Sequence, residues 1–196
     1  MRSRSSIERY DHRASDYEEG VLGRWHGEIV QRTAAITNTV LPDTCVVLDI
    51  GCGSGALLRL LEPRGPKVLL GVDPSPRMLT VATSHPARRR AVFAQAVAEA
   101  LPCPNATCDV VVSSVSFGHW ADQKRGLLEC RRVLVEGGSL VLVDVFSRWL
   151  NMATRRGNRL SAHTKGRTTT LLRDSGFHRT EWHDIYGQLI AAVVAN

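Results

Sequence analysis

Residues 47–55 read VLDIGCGSG, and this stretch decides the architecture expected of the whole chain. Its apolar, partly β-branched start predicts a buried strand, which ends at the acid Asp49 and runs into three glycines, Gly51, Gly53 and Gly55. The ALLRLL that follows predicts a helix. A strand, a glycine-rich turn and a helix in this order are typical of a site that binds its ligand closely along the backbone.

The bulk composition predicts one ordinary globular domain. The chain has 196 residues, 43% of them hydrophobic, and no apolar run long enough for a membrane span. Its first residues, MRSRSSIERYDHR, lack the apolar core of a secretory signal, so we expect a soluble cytoplasmic protein without membrane insertion. The five cysteines show neither CxxC pairs nor Cys/His spacing, which predicts reduced thiols and no metal site.

Strands and helices are expected to alternate from residue 45 onward. The strand candidates are continuous Val/Leu/Ile runs, as in strands covered by helices on both faces: CVVLDI, KVLLGVD, AVFAQA, CDVVVSSV and GSLVLVDVF. Two closing strands, at about 178–184 and 188–195, are separated by a turn too short for a parallel crossover. The pattern predicts an α/β fold with a doubly wound, mostly parallel sheet, a C-terminal antiparallel hairpin and a ligand at the carboxyl ends of the strands.

We interpret residues 1–196 as a single domain with three parts. Residues 1–40 are expected to form N-terminal helices that cover the site, and residues 41–146 form the core that binds the ligand. Residues 147–196 supply a basic segment, a helix and the closing hairpin.

The acid before the glycines discriminates between ligands. A dinucleotide site has the spacing G-x-G-x-x-G, whereas this turn reads G-x-G-x-G. The Asp49 carboxylate would repel a pyrophosphate but suits a cationic ligand without phosphates, such as S-adenosylmethionine. The alternative is that the glycine turn serves only the packing of the strand against the helix and binds no ligand.

A second acid, Asp73, ends the next strand in LLGVDPSP, about 20 residues after the glycine turn. An acid at this place accepts hydrogen bonds from both ribose hydroxyls of a nucleoside. The alternative is that Asp73 caps the following helix, for which Ser75 is also a good residue.

With these motifs the chain resembles the class I S-adenosylmethionine-dependent methyltransferases, in particular their small-molecule members in quinone and biotin biosynthesis. VLDIGCGSG is similar to the family's first motif, GVDPSPRML to its second, and AQAVAEALPC and RRVLVEGGSLVLVDVF to later ones. The likeness covers most of the chain and is specific for fold and cofactor, not for substrate. It implies a seven-stranded sheet with the last strand inserted antiparallel, and S-adenosylmethionine as cofactor with S-adenosylhomocysteine as product.

The resemblance also implies a set of cofactor-binding residues. At the position where family members often carry an Asp that accepts the adenine amino group, this chain has Val97, which removes one hydrogen bond, roughly 1 kcal/mol. The backbone of Ala98 could still donate to the adenine ring. The predicted cofactor-binding residues are Tyr17, Asp49, Gly51, Cys52, Gly53, Gly55, Asp73, Pro74, Met78, Val97, Ala98 and Ser114.

The acceptor side is expected just after the fourth and fifth strands. His119, in SFGHWAD, is either a general base with a pKa near neutrality or a residue that packs beside the methionine end of the cofactor. Trp120 is predicted to form a wall of the substrate pocket. Asp144, at the end of the fifth strand, either faces the acceptor as a catalytic residue or is a structural acid that hydrogen-bonds the helix above it.

The N-terminal YDHRASDYEEG resembles the Y/F-D-x-x-A-x-x-Y signature of small-molecule methyltransferases. The resemblance places Tyr17 near the carboxylate end of the cofactor. Tyr10 either closes the substrate pocket or packs in an aromatic core.

The net charge of +6 is concentrated in the last quarter of the chain, where the six basic residues from Arg148 to Arg167 have no acid among them. This stretch either steers an anionic acceptor through Arg155, Arg156 and Arg159 or is a solvated loop. The acceptor would then be a carboxylate, a phosphate or a phosphopantetheine-linked acyl group. The biotin-pathway resemblance suggests the malonyl group on an acidic carrier protein.

Two other functions stay open. The pI near 9.4 is typical of nucleic-acid binding. However, SSVSFGHW replaces the [DNS]-P-P-[YFW] of base-methylating enzymes after the fourth strand, which favours a small acceptor over RNA or DNA. A non-catalytic S-adenosylmethionine-binding protein is the other alternative. The sequence determines neither the methylated atom nor the oligomeric state.

Overall fold

The fold is an α/β sandwich, seen in a computed structural model that describes residues 11, 20–61, 65, 68–86, 91–146, 163–187 and 189–196. Beyond a short 3₁₀ turn at Phe117–His119, the helices and strands in these residues are α1 (Gly20–Thr39), β1 (Val46–Ile50), α2 (Ala56–Leu61), β2 (Val68–Asp73), α3 (Pro76–Ser84), β3 (Ala91–Gln95), β4 (Cys108–Ser114), α4 (Gln123–Val133), β5 (Leu134–Val145), α5 (Lys165–Asp174), β6 (Thr180–Tyr186) and β7 (Ile190–Ala195).

The strands join in one sheet with the order β3-β2-β1-β4-β5-β7-β6. The first five are parallel, whereas β7 is antiparallel to both of its neighbours, β5 and β6. The α/β class, the seven-stranded sheet and the inserted antiparallel last strand are therefore confirmed. The parallel pairing brings the carboxyl ends of β1, β2, β4 and β5 to the same edge of the sheet.

Side chains of successive strand residues divide between two hydrophobic cores, one on each face of the sheet. Leu48 and Val111 belong to the core that α4 and α5 cover through Leu127 and Leu172. The neighbouring strand residues belong to the opposite core, which α1 and α2 cover: Val47, Val110 and Val112. Helices on both faces explain why the strands are apolar throughout rather than alternating.

Local signals place the ends of the elements. Ser75 caps α3 as predicted, since its hydroxyl accepts a hydrogen bond from the backbone N–H of Met78 at 3.1 Å. The strand β5 begins at Leu134, earlier than the predicted GSLVLVDVF, because Leu134 pairs with Cys108 ahead of a register shift. Gly137, with φ of 76°, lies within this irregular start, and its conformation was not visible in the apolar pattern.

No helix within the described ranges is long and apolar enough to cross a membrane. The division of residues 1–196 into a covering N-terminal part, a core and a basic C-terminal part stays a prediction, because residues 1–10, 12–19 and 147–162 lie outside the described part of the chain.

Candidate active site

A cavity of about 470 Å³ opens at the carboxyl ends of β1, β2 and β4, where the sheet order predicts a ligand. Twelve of the predicted site residues line it: Asp49, Gly51, Cys52, Gly53, Asp73, Pro74, Met78, Val97, Ala98, Ser114, His119 and Trp120. The glycine turn, the acids and the residues after β4 therefore surround one space.

The glycine turn is folded tightly against β2. The backbone N–H groups of Gly51 and Cys52 both donate to the Val72 carbonyl, at 2.8 and 3.0 Å. Gly51, Gly53 and Gly55 have φ of 73°, 53° and 78°, a left-handed backbone conformation that residues with a Cβ rarely adopt. Gly55 is not among the residues that line the cavity; a Cβ there would meet the Phe93 ring at 3.0 Å. Its role is therefore to shape the turn.

Asp49 lies at the base of this turn and is 2% exposed. Its Oδ1 atom is buried without a hydrogen-bond partner among the described residues, although the side chain borders the cavity. Burial, and secondarily the nearby Asp73 carboxylate, raise the pKa of Asp49 to about 8. A buried carboxylate of this kind fits a ligand that brings a positive charge or a hydrogen-bond donor.

Asp73 is held from two sides at the end of β2. One carboxylate oxygen accepts the backbone N–H of Gly53 at 2.9 Å, and the other accepts the backbone N–H of Ser75 at 2.8 Å. Burial raises the pKa of Asp73 above its ordinary value, although both hydrogen bonds oppose this. The Ser75 hydroxyl also donates to Asp11. Asp73 thus joins the glycine turn to the start of α3, and each of its oxygens keeps a second lone pair for a ligand hydroxyl.

Apolar side chains around Val97 line part of the cavity, beside the charged Glu99 and Arg125. Val97 is 41% exposed, and Ala98 behind it is 4% exposed. Met78 of α3, 2% exposed, borders the same space. A flat ring bound here would be held by apolar contact, without a carboxylate from position 97.

The segment after β4 is sharply bent. Val115 has φ of 55°, an outlier for a β-branched residue, and the chain then enters the 3₁₀ turn that carries His119. His119 is exposed at the cavity, and Trp120 follows as a wall. The Trp120 ring lies against Gly126 of α4, where a Cβ would come within 2.4 Å of it.

Asp144 supports this bent segment from below. One carboxylate oxygen accepts the backbone N–H of Gly118 at 2.7 Å, and the other accepts that of Val145 at 2.7 Å. Burial raises its pKa to about 6. Asp144 is not among the residues that line the cavity, so its geometry favours the second of the two predicted roles, a hydrogen bond to the segment above.

Fourteen of the residues that line the cavity were not predicted as site residues, and His26, Val30 and Ser116 are among them. His26 and Val30 of α1 border the cavity, spaced four apart on one helix face, and Ser116 borders it beside the glycine turn. The helical spacing of His26 and Val30 was a usable signal. No sequence signal indicated Ser116, because the bend at Val115 determines the direction of the Ser116 side chain.

Five predicted site residues lie outside the described part of the chain: Tyr10, Tyr17, Arg155, Arg156 and Arg159. Their roles stay predictions. In the described residues no group of three His, Cys, Asp or Glu side chains could hold a metal ion.

The arrangement fits S-adenosylmethionine better than a dinucleotide. Two buried acids, Asp49 and Asp73, border the glycine turn; a cationic ligand would favour their ionised forms, whereas a pyrophosphate gains nothing from them. The contacts of Asp49 with the methionine part, of Asp73 with the ribose and of Val97 with the adenine stay predictions.

Comparison with known proteins identifies the family of residues 48–142. Residues 48–142 match the family described as a methyltransferase domain. The chain is 34% identical over 116 residues to a demethylmenaquinone methyltransferase of Deinococcus radiodurans, covering 58% of this chain and 48% of that protein. It is also 34% identical over 106 residues to a malonyl-[acyl-carrier protein] O-methyltransferase of Hahella chejuensis, covering 53% and 38%.

One solved structure resembles the fold over nearly its whole length. It is a chain in the complex of the Haloferax volcanii Trm112 methyltransferase activator with a methyltransferase, with a TM-score of 0.80, 20% identity and coverage of 95% of this chain and 96% of that chain. At this identity the likeness concerns the fold alone. The curated relatives are longer, and the chain spans about half the length of those it matches first.

The sheet order and the family match over residues 48–142 together identify a Rossmann-like, S-adenosylmethionine-dependent methyltransferase domain. The predicted resemblance to class I methyltransferases of the small-molecule kind is confirmed by this match and by the named relatives, as is the predicted class of enzyme for this domain.

Proposed function

We propose that the protein transfers the methyl group of S-adenosylmethionine to a small anionic acceptor. The observation that carries this proposal is the buried Asp49 carboxyl group, whose Oδ1 has no partner among the described residues, beside a glycine turn that borders the cavity. Bound S-adenosylmethionine supplies an activated methyl group. The protein has to hold the acceptor in line with that group, which by itself supplies much of the rate.

The acceptor side is formed by residues of two elements. His119 follows β4, and His26 projects from α1 into the same cavity. His119 would take the proton of an acceptor that does not ionise freely, whereas a carboxylate acceptor needs no base. Trp120 and Val30 would exclude water from one side of the bound acceptor.

An anionic acceptor is supported by the charge of the chain and by one of the two named relatives. The basic stretch around Arg155, Arg156 and Arg159 follows β5 in sequence. One similar protein is named for the malonyl group on acyl-carrier protein, and another for demethylmenaquinone. We propose a carboxylate acceptor, with a malonyl group on a carrier protein as the first candidate.

The direct test is release of S-adenosylhomocysteine from labelled cofactor over a panel of acceptors. The panel contains malonyl-carrier protein, free carboxylic acids, phenols, quinone precursors and total RNA. Turnover with a carboxylate supports the proposal. Turnover on RNA alone would replace it with a nucleic-acid function, and cofactor binding without any turnover would favour a non-catalytic binding protein.

Replacing His119 by Ala distinguishes its two predicted roles. If His119 is a base, we expect kcat to fall about 10²-fold or more, while calorimetry gives an affinity for S-adenosylhomocysteine within about twofold of wild type. The exposed His178, which lies outside the cavity lining, gives the matched control, His178→Ala. An unchanged kcat would leave His119 as a packing residue.

Reversing the charge of Arg155, Arg156 and Arg159 to Glu tests the steering of the acceptor. We expect the KM for an anionic acceptor to rise about tenfold and its salt dependence to weaken, with kcat little changed. A triple variant with Lys124, Arg173 and Arg179 replaced by Glu, at exposed positions outside the cavity lining, is the control with the same change of net charge. Equal KM values in wild type and the triple variant would make the stretch a solvated loop.

A further inference from the structure

Three polar groups surround the hydroxyl of Ser116, which lies between the glycine turn and Trp120. The hydroxyl donates to the backbone carbonyl of Ile50 at 2.9 Å. It also lies 2.6 Å from the hydroxyl of Ser113, and the indole Nε1–H of Trp120 donates to it at 3.4 Å. Ser113 is fully buried, so its hydroxyl cannot turn to water instead.

The directions of these hydrogen bonds follow from the number of protons. A serine hydroxyl has one proton and two lone pairs. Since Ser116 gives its proton to the Ile50 carbonyl, it must accept from both Ser113 and Trp120. The oxygen is then saturated, and Ser116 has no capacity left to bind a ligand, although it borders the cavity.

The peptide that begins the glycine turn is thereby fixed at both ends. Its carbonyl, on Ile50, is held by Ser116, and its N–H, on Gly51, donates to Val72 at 2.8 Å. Ser116 also packs directly on Gly51, where a Cβ would come within 2.5 Å of the serine Cβ. A shift of the turn therefore has to move Ser116.

The same serine is fixed on the acceptor side. The left-handed Val115, with φ of 55°, turns the chain so that Ser116 faces the glycine turn. The backbone N–H of Val115 donates to the Val143 carbonyl at 2.7 Å. Trp120 then reaches back to the serine from four residues further on. A left-handed backbone is strained at a β-branched residue, and the surrounding hydrogen bonds hold it in place.

We propose that Ser116 is a positioning residue. Its hydroxyl couples the glycine turn, where S-adenosylmethionine is proposed to bind, to Trp120 on the proposed acceptor side. Cofactor binding at the turn then sets the orientation of Trp120 and so raises the affinity for the acceptor. By linkage, a bound acceptor raises the affinity for the cofactor by the same factor. The inference rests on the proposed function, because it assigns one end of the network to the cofactor and the other to the acceptor.

The test uses the intact chain and S-adenosylhomocysteine, so that it needs no acceptor. Binding is measured by calorimetry, and the change in tryptophan fluorescence is followed in the same titration. Trp120→Phe identifies the part of the signal that Trp120 contributes. The variants are Ser116→Ala, which removes the hydroxyl, Ser116→Thr, which keeps it, and Ser84→Ala at the exposed end of α3 as control.

For Ser116→Ala we expect affinity for S-adenosylhomocysteine to fall about 5–10-fold and the Trp120 signal on binding to be lost. Ser116→Thr should restore both, and Ser84→Ala should change neither. Once an acceptor is known, Ser116→Ala should raise its KM more than it lowers kcat.

The outcomes separate the two levels of the proposal. Binding and fluorescence unchanged in Ser116→Ala would overturn the coupling and leave the proposed function intact. Equal losses in the Ala and Thr variants would also overturn it, because packing and not the hydroxyl would then be responsible. A wild-type protein that does not bind S-adenosylhomocysteine would overturn the proposed function, and the coupling with it.

Discussion

Asp49→Asn is expected to abolish binding of S-adenosylmethionine and, at the same time, to stabilise the ligand-free protein. The wild-type carboxylate is 2% exposed, with Oδ1 unpartnered among the described residues, and its pKa is raised to about 8. A neutral amide of the same shape avoids the cost of a buried charge but offers no charge to the cationic ligand.

The stability gain depends on pH in a defined direction. Between about pH 4, where an unfolded Asp titrates, and about pH 8, the folded protein binds more protons than the unfolded chain. The contribution of Asp49 to stability therefore falls as the pH rises through this window, and Asn removes that fall. At pH 8 we expect a gain of roughly 1–2 kcal/mol, or a Tm higher by about 2–8 °C.

Cofactor affinity of the wild type should show the opposite pH dependence. Because the bound cation favours the charged carboxylate, binding below about pH 8 releases a proton, and affinity rises toward that pH. Calorimetry in buffers of different ionisation enthalpy measures the released proton. Asp184→Asn, a surface carboxylate whose side chain is 70% exposed, is the control for both readouts. Micromolar affinity retained in Asp49→Asn would contradict the assignment of the site.

Gly51→Ala is expected to destabilise the protein far more than Gly53→Ala. Both glycines have left-handed backbones, at φ of 73° and 53°, so each substitution carries a strain of about 1–2 kcal/mol. Only at Gly51 would the new Cβ also overlap Ser116, at 2.5 Å, whereas nothing lies within 4 Å of a Cβ at Gly53. We expect a loss of about 3 kcal/mol or more for Gly51→Ala and about 1 kcal/mol for Gly53→Ala.

Urea denaturation of the two variants without ligand measures this difference directly. The pair is matched, since both residues belong to one turn and gain the same methyl group. Equal midpoints would mean that Ser116 moves aside without cost. That result would also weaken the case for a rigid contact between the glycine turn and the segment after β4.

Much of the fold follows from local patterns along the chain. Continuous apolar runs predicted buried parallel strands, and the short turn before β7 predicted the antiparallel hairpin, because both depend on neighbouring residues. The cap of α3 by Ser75 was predictable for the same reason. The start of β5 was predicted too late, since the register shift beside Gly137 depends on pairing with β4.

The cofactor half of the candidate site was also accessible to sequence reasoning. Asp49 and Asp73 end consecutive parallel strands, so the fold class alone brings them to one edge of the sheet. The acceptor half was less accessible. His119 and Asp144 each had two open roles, and only the hydrogen bonds of Asp144 to Gly118 and Val145 show how its carboxylate is used.

The sequence by itself determined the order of strands and helices, the class of fold and twelve of the residues that line the cavity, because these depend on periodicity and on motifs carried by short segments. Only the tertiary structure decided that Oδ1 of Asp49 is buried without a partner among the described residues, that His26 reaches the cavity, and that Ser116 joins the glycine turn to Trp120. Such features depend on groups far apart in the chain, whose distances and burial are fixed only when the sheet has assembled.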